Sequence, residues 1–181
     1  MERNLVLVAL FAALVAALGI IPQIMLPFGV PITAQSLGVM LCGTILGAKR
    51  GFLAVLLFVF LVAIGLPLLA GGRGGLGVFA SPTGGFVIGF PFAALATGFV
   101  TERLRAAPVG IAAGIGAILG GIVVLYGFGI LGLSIVLGKT LFEATGLVAV
   151  FIAGDVAKAI IAGIITAALA KARPDSVLSR T

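Results

Sequence analysis

An acid and a base lie close together inside the last apolar run of the chain. Asp155 and Lys158 stand near the middle of the run 145–171 and are flanked by hydrophobic residues on both sides. In a helix, residues three positions apart lie on one face, so the two charges can partly neutralise each other. Each charge would cost about 2.5–3.5 kcal/mol at the centre of a membrane-spanning helix. The rest of the chain must therefore surround this pair with protein or with a water-filled cavity.

The residues alone leave more than one use for this pair open. In a ligand site, Lys158 would bind a carboxylate and Asp155 would accept hydrogen bonds from N–H groups. In a structural role, the pair would hold helices together, although apolar residues often stabilise a core equally well. Ionisable residues inside a membrane are functional by default, which favours the ligand site. One acid beside one base could also relay protons in a transporter.

Other polar and aromatic residues near the apolar runs could complete a ligand site. They are Thr33 and Gln35 at the start of the second run, Ser81 and Thr83 before the fourth, Tyr126 in the fifth, and Phe79 and Phe86. The two rings could stack on a flat ligand, although aromatic residues of membrane proteins more often only pack against neighbours. Thr83 could instead cap the fourth helix, because threonine is a frequent N-cap residue. Arg73 lies between two glycine pairs, where it could face a ligand or be a solvated loop charge.

The composition indicates an integral membrane protein and excludes several classes of function. Of 181 residues, 62% are hydrophobic and 9% are charged, whereas soluble domains carry about 25% charged residues. Histidine is absent and Cys42 is the single cysteine, so the usual general base, the commonest metal ligand and an intrachain disulfide are missing. The nearest match to a phosphate-binding loop, 138–140, lacks the upstream glycine spacing. We therefore expect no enzyme, no metal site and no cofactor.

Six apolar runs predict an all-α membrane protein with six transmembrane helices in a single domain, 1–181. The runs are 4–24, 34–48, 51–69, 84–100, 109–133 and 145–170. Eight basic residues lie at the termini and in alternate connections, whereas the other connections hold only Arg73 and Lys139. The positive-inside rule places both termini in the cytoplasm. Because the basic residues lie at the ends of apolar runs, the net charge of +6 indicates topology and not nucleic-acid binding.

The connection 67–85 is rich in glycine and proline but also contains apolar side chains. Leu76, Val78 and Phe79 are among them, and a solvated linker would not need these residues. Irregular backbone near a membrane persists only where protein or water satisfies its polar groups. We therefore expect this outer loop to fold inward as a lid over a cavity, in preference to a flexible surface loop.

A stripe of small residues follows one side of the first run. Ala9, Ala13 and Ala17 recur every four residues, and small residues at this spacing let membrane helices approach closely. The stripe could pack inside the bundle or against another protein. In the fifth run, Gly110, Gly114, Gly116 and Gly120 repeat the spacing, and there we favour packing inside the bundle.

Three motifs together resemble the BioY family, the biotin-specific substrate-binding (S) components of energy-coupling factor (ECF) transporters. They are VPITAQSLGVMLCGTILG at 30–47, GGLGVFASPTGGFVIGF at 74–90 and GDVAKA at 154–159. The second motif is the most specific, and it adds Gly75 and Gly84 to the candidate ligand-binding residues. Two positions depart from the family pattern, since Ser81 stands where glycine is frequent and Phe86 where tyrosine is frequent.

The resemblance implies a multi-pass protein of a prokaryotic cytoplasmic membrane that captures biotin from the outer side. Asp155 would accept a ureido N–H of biotin, and Lys158 would donate to the ligand or set the charge of the aspartate. The implied partners are a transmembrane coupling protein (T component), which would contact Ala9, Ala13 and Ala17, and two separate ATPase subunits that hydrolyse ATP. The alternative function is a self-sufficient secondary transporter, coupled to protons or ions, for biotin or a similar small carboxylate.

Overall fold

A computed structural model describes residues 2–180 of the chain, without the side chain of Arg3. Within these residues six helical segments follow one another, as the sequence predicts. They are α1 (Glu2–Leu18), α2 (Gln35–Leu46), α3 (Ala48–Ala63), α4 (Gly84–Arg103), α5 (Val109–Leu137) and α6 (Leu141–Ala172). A short antiparallel hairpin, β1 (Ile24–Met25) and β2 (Pro31–Ile32), precedes α2. The two strands pair Ile24 with Ile32 and Met25 with Pro31.

The membrane-spanning lengths are unequal. Helices α4, α5 and α6 have 20, 29 and 32 residues and are long and apolar enough to cross a membrane. Helix α2 has only 12 residues, about 18 Å at roughly 1.5 Å per residue. The hairpin strand β2 lies just before this helix, with residues 33 and 34 between them.

Two helices, α1 and α3, end six residues before the corresponding apolar runs do. Helix α1 stops at Leu18 although the run continues to 24, and the next residue, Gly19, leaves no room for a Cβ atom beside the loop carbonyl of Leu68 and the side-chain amide of Gln35. Helix α3 stops at Ala63 instead of 69. There the chain passes through Gly65 at φ +108°, a conformation that favours glycine. The residues beyond both helix ends belong to the outer loops that surround the cavity described below.

The two longest helices contain irregular turns. Helix α5 is π-helical over Leu119–Val124, and α6 has a 3₁₀ turn at Ala149–Phe151. Turns of the π type occur frequently at functional sites. Each turn lies beside a residue of the cavity wall, since Tyr126 follows the first and Phe151 ends the second. Neither turn was expected from the apolar pattern.

Glycines permit close helix packing in the bundle, as expected for the fifth run. A Cβ atom at Gly116 would lie 2.5 Å from Thr101 Oγ1 of α4, and one at Gly163 of α6 would lie 2.6 Å from the carbonyl of Gly110. The stripe on α1 is different, since Ala9, Ala13 and Ala17 are all exposed. Among the described residues, the first helix therefore does not use this stripe for packing inside the bundle.

The residues after α6 close one end of the bundle. Val177, Leu178 and Ser179 are buried. The N–H of Ser179 donates to the carbonyl of Ile45 in the last turn of α2 (3.1 Å), and its hydroxyl donates to the carbonyl of Thr44. Arg180 donates to the carbonyl of Leu104, just after α4 (3.1 Å). These bonds satisfy carbonyl groups that helix ends leave without partners, and they join three helices at the end opposite the lid.

Candidate ligand-binding site

A cavity lies at the end of the bundle where the outer loops meet. Residues of β2, the loop 67–83 and helices α2, α4, α5 and α6 form its wall. They are Val30, Pro31, Ile32, Thr33, Gln35, Ser36, Leu69, Arg73, Thr83, Phe86, Val87, Phe90, Leu125, Tyr126, Phe151, Asp155 and Lys158. Most of these side chains are apolar, and a few polar groups converge among them. This composition is typical of sites for small organic ligands.

The acid–base pair of α6 faces this cavity. Lys158 Nζ lies 2.7 Å from Asp155 Oδ1, and the exposed fractions of the two side chains are 17% and 8%. The arrangement follows from the helical spacing, which places both residues on the face of α6 that packs toward α2 and α5. An ion pair this well shielded is surrounded by protein on most sides, as the cost of burying the charges requires.

Two hydroxyl groups complete the polar cluster around Asp155. Tyr126 of α5 donates to Asp155 Oδ2 (2.8 Å), and Ser36 of α2 donates to Asp155 Oδ1 (3.2 Å). Ser36 Oγ also accepts a hydrogen bond from Lys158 Nζ (2.9 Å). Tyr126 was among the predicted residues, whereas Ser36 was missed. A serine near a helix start is ordinary, and its position one residue after Gln35 was the only available sign.

Counting donors and acceptors shows what this cluster can still bind. An ionised carboxylate offers about four acceptor sites, and an ammonium group offers three donors. Asp155 accepts three hydrogen bonds and Lys158 donates two. One acceptor and one donor therefore remain for a ligand at the edge of the pair. A planar group that carries an N–H next to a C=O matches this combination.

Arg73 provides a second cation on the cavity wall. Its Nη1 donates to Thr83 Oγ1 (3.1 Å), and its Nε donates to the carbonyl of Ala70 (3.2 Å). Of the two interpretations from the sequence, the geometry favours the ligand-facing one. Burial lowers the pKa of Arg73 from its ordinary value. A guanidinium group carries five N–H donors, so three remain available to an anion such as a carboxylate.

Thr83 does not cap α4 with its side chain. It occupies the N-cap position without a side-chain capping bond. Its hydroxyl instead accepts from Arg73 and lies 2.8 Å from Ser81 Oγ. The capping alternative is therefore wrong for this residue. Thr83 joins the loop to the start of α4 at the cavity wall.

Aromatic rings form the apolar part of the wall. Phe86 of α4 and Phe151 of α6 meet edge to face at 6.1 Å, and Phe28 meets Phe151 in the same way at 6.1 Å. Phe86 was predicted, but Phe90 and Phe151 were not. Nothing in the sequence distinguishes these two from the other phenylalanines of the apolar runs.

The loop 67–83 folds inward, as predicted, and we call it the lid. Leu69, Ala70 and Val78 are buried, while Leu76 is 75% exposed. The expectation that Leu76 is buried is therefore wrong. Phe79 packs partly against the core. Phe79, Gly75 and Gly84 are not part of the cavity wall. Their predicted contact with a ligand would require movement of the lid for Gly75 and Phe79, and of the first turn of α4 for Gly84.

Gln35 and Thr33 have different roles at the start of α2. Both contribute to the wall, but the amide nitrogen and the amide oxygen of Gln35 are both hydrogen-bonded to backbone groups of α1 and the lid. Thr33 Oγ1 accepts from the backbone N–H of Gln35 (3.3 Å). Among residues 2–180, no group of three or more side chains is suited to hold a metal ion.

Comparison with known proteins gives one consistent result. The family model described as "BioY family" matches residues 2–175. The chain is 54% identical to the biotin transporter BioY of Rhodobacter capsulatus, over 99% of this chain and 100% of that protein. It is 52% identical to the biotin transporter BioY of Rhizobium etli, over 90% of each chain. It is 40% identical to the probable biotin transporter BioY of Bacillus subtilis, over 91% and 89%.

A solved structure agrees in fold. The crystal structure of the S-component for biotin from an ECF-type ABC transporter superposes with a TM-score of 0.88 at 34% sequence identity. The match covers 94% of this chain and 92% of that one. The family model, the sequence relatives and this structure all cover nearly the whole chain, and the motifs that carried the resemblance lie around the cavity. The chain belongs to the BioY family.

Proposed function

We propose that this chain binds biotin and is the substrate-binding component of an uptake system in the cytoplasmic membrane of a prokaryote. The observation that carries this proposal is the cluster of Asp155, Lys158, Ser36 and Tyr126 at the wall of a largely aromatic cavity. The relatives described as biotin transporters support it. Biotin combines a ureido ring with N–H and C=O groups, an apolar sulfur-containing ring and a carboxylate on an aliphatic arm.

The groups of the cavity match these parts of biotin in number and type. The acceptor that remains on Asp155 and the donor that remains on Lys158 suit one N–H and the C=O of the ureido ring. The rings of Phe86 and Phe151 suit the apolar body of the ligand. Arg73 suits the carboxylate, because guanidinium and carboxylate groups form strong charge-assisted hydrogen bonds. The ureido ring then lies at α6 and the carboxylate lies under the lid.

The exposed stripe of α1 suits a partner protein within the membrane. Ala9, Ala13 and Ala17 face away from the bundle, and close approach of helices in lipid depends on such small side chains. We propose that the T component of an ECF transporter docks here and that two separate ATPase subunits hydrolyse ATP. The ECF origin of the superposed S-component supports this assignment.

A second candidate function is a secondary transporter that acts without ATPases. The observation that favours it is the buried, ionisable pair Asp155–Lys158, which could exchange a proton during transport. Uptake of biotin by cells that contain this chain without coupling proteins, and that stops when a protonophore is added, would support the second candidate against the first.

Binding is tested with the purified protein in detergent. Titration with biotin should give saturable binding with one site per chain, and Asp155→Asn should weaken it by at least tenfold, the effect of one lost charge-assisted hydrogen bond. Thr145→Ala is the matched control on the same helix, because Thr145 is exposed and bonds only within its own helix. Failure of the unsubstituted chain to bind biotin would overturn the proposal.

A further inference from the structure

We infer that Gln35 is a positioning residue that holds the Arg73 guanidinium in place through the peptide of Ala70, and so determines preference for a ligand with a free carboxylate. This inference rests on the proposed function, because it assigns Arg73 to the carboxylate of biotin. Gln35 was expected to contact the ligand itself. The hydrogen bonds of its side chain point to a different role.

The polar atoms of the Gln35 side chain are bonded to the backbone of other segments. Nε2 donates to the carbonyl of Val15 in α1 (3.1 Å) and to the carbonyl of Leu68 in the lid (3.0 Å). Oε1 accepts from the N–H of Ala70 (3.0 Å). The opposite orientation of the amide would place oxygen against two carbonyl groups, so the bonding pattern determines the orientation. Gln35 is 1% exposed.

The peptide groups of Ala70 connect Gln35 to Arg73. The N–H of Ala70 donates to Gln35, and the carbonyl of Ala70 accepts from Arg73 Nε (3.2 Å). Ala70 is fully buried, so water does not replace either bond readily. Backbone hydrogen bonds between Leu69 and Arg73 close this part of the lid into a tight turn. A shift of Ala70 therefore displaces the guanidinium group.

Gly19 marks the other side of the same junction. A Cβ atom on this residue would lie 2.5 Å from the Leu68 carbonyl and 2.9 Å from Gln35 Nε2. Any larger residue would therefore push the backbone of the lid at Leu68 and the Gln35 amide away from α1. Gly19 does not belong to the cavity wall, so its substitution disturbs the junction without touching a ligand. Gly77 in the lid offers a matched control, because a Cβ atom on that residue would have no neighbouring atom within 4 Å.

The experiment compares the affinities of purified variants for biotin and for biotin amide, whose carboxylate is replaced by a neutral carboxamide. Arg73→Met should weaken biotin binding about 10- to 150-fold, the range of a hydrogen bond to a charged group. Its effect on biotin amide should be much smaller. Gln35→Met should reproduce the same selectivity with a loss of about 5- to 10-fold for biotin. In the Arg73→Met background, Gln35→Met should cause no further loss of selectivity, because both act through one group.

Each outcome decides between distinct conclusions. Gln35→Met that weakens both ligands equally would overturn the inference and leave the binding of biotin intact. Arg73→Met that fails to distinguish the two ligands would overturn the proposed orientation of biotin and the inference with it. Gly19→Ala should shift the selectivity in the same direction as Gln35→Met, and Gly77→Ala should leave it unchanged. If Gln35→Met does not fold, Gly19→Ala decides the question, since equal affinities in that variant and in the natural chain would contradict the inference.

Discussion

Replacing the acid of the buried pair tests the cavity assignment most directly. In Asp155→Asn the shape of the side chain is preserved but its charge is lost. Lys158 then keeps Ser36 Oγ as a hydrogen-bond partner (2.9 Å) and loses its only ion-pair partner among the described residues. Leaving one member of a buried pair without its partner typically costs about 3–5 kcal/mol. Because the Lys158 side chain is still 17% exposed, we expect the free energy of unfolding to fall by an amount near the lower limit, about 3 kcal/mol.

The double variant separates stability from binding. Asp155→Asn with Lys158→Met removes both charges, so the unfolding free energy should return to within about 1 kcal/mol of that of the natural chain. Binding should not return, because the proposed acceptor for the ureido N–H and the proposed donor to its carbonyl are both altered. A hydrogen bond to a charged group is worth about 1.5–3 kcal/mol, or about 10- to 150-fold in affinity.

The assays are thermal unfolding in detergent and titration with biotin, each performed on the two single variants and on the double variant. Thr145→Ala serves as the control on α6. Binding of biotin by the double variant with the affinity of the natural chain would contradict the assignment of Asp155 and Lys158 to the biotin site. In that case the pair is structural and biotin occupies another site.

Four further results are expected. Tyr126→Phe should weaken biotin binding about fivefold, because the Asp155 carboxylate loses one hydrogen bond of 2.8 Å; unchanged affinity would show that this bond does not contribute to binding. Ala13→Trp should prevent co-purification with the T component and leave biotin binding intact; a variant that also loses biotin binding would show that the stripe is needed for folding. Biotin should slow hydrogen exchange of the lid, 67–83, and equal exchange in both states would make the lid a passive connector. In a Cys42→Ala background, an impermeant thiol reagent outside the cell should label Gly77→Cys and not Lys49→Cys; the reverse pattern would contradict the topology.

The pattern of charges and apolar runs was sufficient to predict the main architecture. Six runs correspond to six helices, because a membrane protein has few ways to satisfy its backbone other than helices. The burial of Asp155 and Lys158 beside a cavity was predictable from their cost in lipid. The same cost argument applies to no neutral residue, and Ser36 was missed for that reason. Residue type alone does not distinguish a serine of the site from the other serines of the chain.

The remaining features depend on contacts between distant parts of the chain. The carbonyl of Leu68 in the lid approaches Gly19, just after α1, and apolar periodicity contains no information about that approach. The proposed role of Gln35 depends on its bond to Ala70, 35 residues away. A local pattern shows that a glutamine lies at the mouth of a helix. It does not show that both polar atoms of that amide are already bonded to backbone groups.

The closed end of the bundle has a consequence for the route of a ligand. Between the cavity and Ser179, the side chains of Met40, Leu41, Ile45, Ala117, Ala159 and Ala162 form one buried cluster. Passage through this part would require the cluster to separate and the bonds from Ser179 and Arg180 to break together. Close-packed protein interiors resist such opening. We therefore expect a ligand to reach the opposite side of the membrane by separation of this cluster or by reorientation of the whole protein, and not by diffusion through a preformed channel.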